Sequence, residues 1–137
     1  MSSELSVTLR TTFDDAVERT RAALAEQGFG VLTDIDIRET MKTRLDADIE
    51  DYRILGACNP PLAYRALDAD RQIGLLLPCN VVVRRSAQSD DTVLVEAMNP
   101  QLMVEVTGEP ALRPIAVEAT AKLRAAIDAL RVDVTCH

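Results

Sequence analysis

The chain has 137 residues, 47% of them hydrophobic but only 3% aromatic and none tryptophan, enough for one ordinary domain with an aliphatic core. Its formal charge is −7, with a pI near 4.7 and no basic stripe carrying interleaved aromatics, which argues against nucleic acid and anionic membranes as partners. An odd cysteine count argues against a disulfide framework, Met1-Ser2-Ser3-Glu4 lacks the cationic and apolar regions of a signal peptide, and no apolar run approaches the roughly 20 residues of a bilayer span. A cytoplasmic domain is therefore expected.

In chain order, Leu5, Val7 and Leu9 alternate as a first strand, and Thr11 or Thr12 can cap a helix with Asp14 or Asp15 three residues on. Phe13, Val17, Thr20 and Leu24 form that helix's apolar stripe as far as Gln27, and Gly28 is its natural stop. Phe29, Val31, Thr33, Ile35 and Ile37 then alternate with Asp34, Asp36 and Arg38, which predicts a strand with one buried and one wet face. Met41 and Leu45 suggest a short helix from Thr40. The acidic run Asp46 to Asp51 resembles the opening of a calcium loop, but Asp51 stands where the turn glycine belongs and Ala57 where the bidentate glutamate belongs, so a solvated turn is expected.

The stretch from Ile54 to Arg85 is the most informative. Tyr52, Ile54, Gly56 and Cys58 alternate with Arg53, Leu55 and Ala57 as a strand that runs into Asn59-Pro60, an N-cap followed by proline at the first helical position. The helix, with Leu62, Ala66 and Ala69 on one stripe, should fade at Asp68-Ala69-Asp70. Ile73 to Leu77 is an apolar run of strand length, and Pro78 interrupts it at a bend, strand start or edge before Cys79, Val81 and Val83 begin another strand. A polar turn from Ser86 to Asp91 joins this to Val93, Val95 and Ala97 as a hairpin. Asn99-Pro100 repeats the corner of Asn59-Pro60, with Met98 where Cys58 stands in the first copy. From Ala111 to Leu130, spacings of three and four predict a long amphipathic helix across the sheet, and the tail from Val132 to His137 is expected to fray.

The G-A-C-N-P corner, the A-L helix after it, the L-L-P-C-N-V-x-V strand and the later M-N-P turn resemble the bacterial and archaeal family known as domain of unknown function 302, over roughly Phe13 to Leu130. The resemblance implies a single α+β domain of the TATA-binding-protein-like class, a curved, mainly antiparallel sheet with helices on one side, often found as a homodimer. It implies no established activity. Cys58 and Cys79 both match the family pattern. The fold-class name does not imply DNA binding, because fold does not fix function and this surface is acidic.

The chemistry available is narrow. The one histidine, His137, is the last residue, which leaves serine or cysteine triads without an imidazole base. No Gly-rich phosphate loop, H-E-x-x-H or C-x-x-C occurs, so the residues point away from catalysis. What remains is a corner formed by Cys58, Asn59, Cys79 and Asn80. One reading makes it the rim of a non-catalytic binding module for a small molecule or a partner protein. A second makes Cys58, just ahead of a helix N-terminus, a reactive thiol, or joins Cys58 and Cys79 to the thioethers of Met98 and Met103 in a soft site for Cu(I) or Zn. A third reading buries both thiols in a purely structural or regulatory subunit.

Overall fold

In the computed structural model, which describes residues 5–88 and 91–135, the order of elements follows from local signals. Strand β1 (Ser6–Arg10) feeds helix α1 (Phe13–Glu26), whose first turn is capped by Thr12 accepting from the Asp15 amide at 3.1 Å. Gly28, with φ of 84°, stops it, since a left-handed residue at a helix end favours glycine. Strand β2 (Gly30–Asp36), helix α2 (Ile37–Leu45), strand β3 (Tyr52–Cys58) and helix α3 (Pro60–Ala69) follow. After a 3₁₀ segment, Arg71–Leu76, come the hairpin strands β4 (Cys79–Arg85) and β5 (Thr92–Ala97), the short helix α4 (Leu102–Thr107) and the long helix α5 (Arg113–Thr135). The five strands form one antiparallel sheet in the order β1-β5-β4-β3-β2, an α+β architecture as expected.

Helices α1 and α5 pack on one face of that sheet. There Leu9, Leu55, Val81, Val83, Val93 and Val95 meet Phe13, Val17 and Leu24 of α1 and Leu123, Ile127 and Leu130 of α5 in the main core. A second, smaller core joins Leu62 and Ala66 of α3, Ile73, Met103 of α4, Leu112, and Ile115, Ala116 and Ala119 from the first turns of α5. Helix α5 thus bridges two packing units. Alternation along the strands turns Ile54, Val82 and Leu94 to the other face of the sheet, where they are half-buried and lie beside an Arg84–Glu96 ion pair of 2.9 Å.

Four expectations are corrected. The run Ile73 to Leu77 is no strand: Asp70 accepts from the Gln72 amide at 3.0 Å and starts a 3₁₀ segment, which buries Ile73 completely and leaves Leu75 86% exposed. A short apolar run cannot by itself distinguish a strand from a helical turn. Strand β2 has no buried face either. It is an edge strand with a register shift between Val31 and Thr33, so alternation breaks, Leu32 is exposed, and Ile37 belongs to α2. Beyond its backbone pairing with β3 and the contact of Val31 with the main core, it is tied by charge, with Asp34 bridging Arg21 of α1 at 2.6 Å and Arg53 of β3 at 3.1 Å. Helix α2 starts at Ile37 rather than Thr40, because Asp36 caps it through the Glu39 amide. At the other end of the chain the backbone stays helical to Thr135 where fraying was expected from Val132; Cys136 and His137 lie outside the described residues.

The acidic turn is neutralised by cations of the protein itself. Lys42 meets Asp46 and Asp48, while Arg38 and Arg85 converge on Asp51 at 2.7 and 3.1 Å. Among the described residues no group of three or more His, Cys, Asp and Glu side chains is placed to hold a metal.

Candidate ligand site

The site grows from the corner at which β3 turns into α3. Asn59 is buried and tied on both sides: its Oδ1 accepts from the Leu62 amide at 3.3 Å, and its Nδ2 donates to the Gln27 carbonyl at 3.2 Å. One side chain therefore caps the start of α3 and takes up a carbonyl that the end of α1 leaves without a helical partner. Pro60 and Pro61 have no N–H, and the Ala63 amide donates to the Asn59 carbonyl at 2.8 Å. Every early amide of α3 is thus absent or engaged. The expected supply of free N–H groups beside Cys58, which would have stabilised a thiolate or an anion, does not exist, because the two prolines and the cap consume it.

Between this corner and the smaller core lies an apolar cleft of about 30 Å³, room for about two water-sized groups. Cys58, Asn59 and Cys79 line it beside Phe29, Leu62, Met103 and Ile115, and the small side chains Ala57, Ala66 and Ala119 leave the space open. Both cysteines come from the same end of the sheet, Cys58 ending β3 one residue beyond Ala57, the register partner of Cys79 at the start of β4. Cys58 is half-buried and Cys79 buried, and neither forms a disulfide. Burial pushes the Cys79 thiol up to about 11, and the nearby Cys58 adds to the effect, so Cys79 is a neutral thiol at physiological pH.

Asn80 does not join them. It pairs in register with Gly56, the strand pleat turns it away from the buried Cys79 and Val81, and it is exposed. Its carbonyl takes the Met98 amide at 2.9 Å and so ties the end of β5 to β4. Met98 is half-buried and does not line the cleft, whereas Met103 does. The Asn99-Pro100 corner is only a partial copy of Asn59-Pro60: Asn99 Oδ1 accepts from the Gln101 amide at 2.9 Å, but α4 begins at Leu102 with no side-chain cap. Glu96 is committed to Arg84, and Glu105 is exposed. Nothing in sequence spacing separates Met103 from Met98; the placement of α4 does, bringing Met103 to the cleft.

The profile of a family described as domain of unknown function DUF302 matches residues 5–130, a span that includes β1 and ends at Leu130, which is buried in α5. The chain belongs to this family. A crystal structure of an uncharacterized conserved DUF302 protein from Bacillus stearothermophilus shares the fold with a TM-score of 0.81 and 30% identity, covering 90% of this chain and 94% of that one. No functionally curated protein matches the chain. The DUF302 fold is therefore established for this chain. Among the described residues no helix is long and apolar enough to cross a membrane.

Proposed function

We propose that this DUF302 domain is a non-catalytic binding module whose site is the cleft between the two cores, taking a small apolar group of a ligand or of a partner protein. The observation that carries the reading is the lining: apolar side chains and sulfur surround the space, and its one amide, Asn59, already has partners on both sides. Such a surface recognises shape and apolar contact rather than charge. A pair of thiols acting as free nucleophiles is a weaker reading, because burial keeps Cys79 protonated unless a bound ligand displaces the proton.

Two further elements belong to the proposal. The domain works as a homodimer through the sheet face carrying Ile54, Val82 and Leu94, since the β2 edge is blunted by its bulge and by Asp34 and Asp36. It resides in the cytoplasm, where the unpaired Cys58 and Cys79 would stay reduced.

The test is a methyl-NMR titration with propanol as the apolar probe. Shifts should concentrate at Leu62, Met103 and Ile115, and Ala63→Leu, which adds bulk at the half-buried rim, should abolish them. Shifts spread over the surface, or unchanged in Ala63→Leu, would refute the site.

A further inference from the structure

Three sulfur-bearing residues from three separate elements line the same small space: Cys58 at the end of β3, Cys79 at the start of β4 and Met103 in α4. No carboxylate and no imidazole lines the cleft, and both polar ends of the Asn59 amide are engaged. A hard cation such as Mg²⁺ or Ca²⁺ would find none of the oxygen ligands it requires. Zinc would find two thiolates where its structural sites use four N or S ligands, and no third His or Cys stands near among the described residues. Cu(I) prefers soft thiolate and thioether donors and occupies low-coordinate, dry surroundings.

We infer that Cys58, Cys79 and Met103 form a binding site for a single Cu(I) ion in this cleft. The inference rests on the reading that the cleft is the site and names a second kind of occupant for it. Cys58 and Cys79 each release a proton to solvent as a Cu–S bond forms, and Met103 donates a sulfur lone pair. No electrons are transferred, and the centre carries one net negative charge. Met98 is excluded from the set, because its side chain does not reach the cleft lining.

The experiment uses the full chain, reduced and anaerobic, in a Cys136→Ser background so that this thiol does not compete. Cu(I) is supplied as its acetonitrile complex and competed with bicinchoninate, and binding is read from thiolate-to-copper absorption in the ultraviolet. A single equivalent should bind, and Cys58→Ser or Cys79→Ser should lose it. Met103→Leu conserves volume and keeps the core filled. It should weaken binding by about tenfold or more, the low end of what even an outer partner of a metal ligand contributes. Met98→Leu should leave the affinity unchanged. Absence of stoichiometric uptake, retention of copper by the Cys58→Ser/Cys79→Ser double variant, or an unchanged affinity in Met103→Leu would each overturn the inference. If copper is not taken up while propanol still shifts Leu62 and Ile115, the metal inference alone falls. If copper binds, it should also suppress the propanol shifts, and their persistence in the loaded protein would place the metal elsewhere.

Discussion

Replacing Asn59 with alanine should cost about 1.5–2.5 kcal/mol, because two separate bonds of one buried side chain disappear together. The cap on the Leu62 amide corresponds to about 1 kcal/mol in helix-capping series. The Nδ2 bond to the Gln27 carbonyl adds about 0.5–1.5 kcal/mol net. Gly28 leaves room for the second bond: a Cβ built on it would stand 3.1 Å from Asn59 Nδ2 and would push the amide by a few tenths of an ångström. Serine at 59 separates the two contributions, since its hydroxyl remains a good cap but is too short to reach Gln27; Asn59→Ser should lie between wild type and Asn59→Ala. Urea unfolding followed by circular dichroism measures both, with unchanged m-values expected if only the native state is affected. In thermal melts the shift should be about 4 °C for each kcal/mol in a domain of this length. An Asn59→Ala loss below about 0.5 kcal/mol, the size of an ordinary surface substitution, would show that the corner is held by something else.

A thiol reagent applied to the native protein should modify Cys58 well before Cys79, which should react only after denaturant is added; equal rates would contradict the burial of Cys79. Because the folded Cys79 thiol is raised from 9.0 to about 11, the stability this gives is fully present below pH 9 and is lost as pH rises toward 11, and Cys79→Ala should flatten that alkaline loss in a series of melts. Gly56→Ala should destabilise by about 1–3 kcal/mol in urea, since the new Cβ would fall onto Thr33 Oγ1 and lie 2.7 Å from Pro78 Cγ; a variant as stable as wild type would mean that the ring and Thr33 move aside freely. Burial works to raise the Asp51 carboxyl, but hydrogen bonds and charge from Arg38 and Arg85 outweigh it and hold the group below its ordinary 3.8. Its stabilising contribution is therefore present above about pH 4 and lost as pH falls below it, and Asp51→Asn should remove that acid-side slope. Light scattering at micromolar concentration should give twice 15.0 kDa, and Val82→Glu should return the mass to that of one chain; a monomer in the wild type refutes the dimer.

Features written in a few adjacent residues were legible. Thr12 and Asn59 act as caps because a short acceptor two or three residues ahead of an unpaired amide is enough, and Gly28 ends α1 because only the local backbone decides it. Alternation located β1, β3, β4 and β5, whose alternate residues face a helix layer that covers them. It misled for β2, where the same pattern lies on the sheet edge with no residue fully buried, and one extra residue at the bulge reverses which side chains face inward. Asn80 shows the same limit. Adjacency to Cys79 in sequence reads as proximity in a site, but in a strand it guarantees opposite faces. The cleft lining itself draws Phe29, Leu62, Met103 and Ala119 from four segments, a convergence that only the assembled fold creates.

The position of the cleft follows from how the two cores share α5. Leu123, Ala126, Ile127 and Leu130 serve the sheet, while Ile115, Ala116 and Ala119, nearer its start, serve the smaller unit. Between these groups the helix cannot satisfy both, since β3 and β4 end at this level and α3 turns away through Asn59 and two prolines. Alanines at 57, 66 and 119 edge the gap where leucine would close it. A void in an apolar interior costs contacts that its lining atoms would otherwise make, and a larger residue at one position would recover them. The rest of the interior follows that rule: Leu9, Leu55, Ile73, Leu112 and Leu123 are fully buried and fill their surroundings. Small residues gathered at one seam, with both described cysteines and one methionine on its walls, make the cleft a local departure from the packing used elsewhere in the chain. Departures of that kind concentrate at functional sites, where a local cost in stability is tolerated for what the space admits.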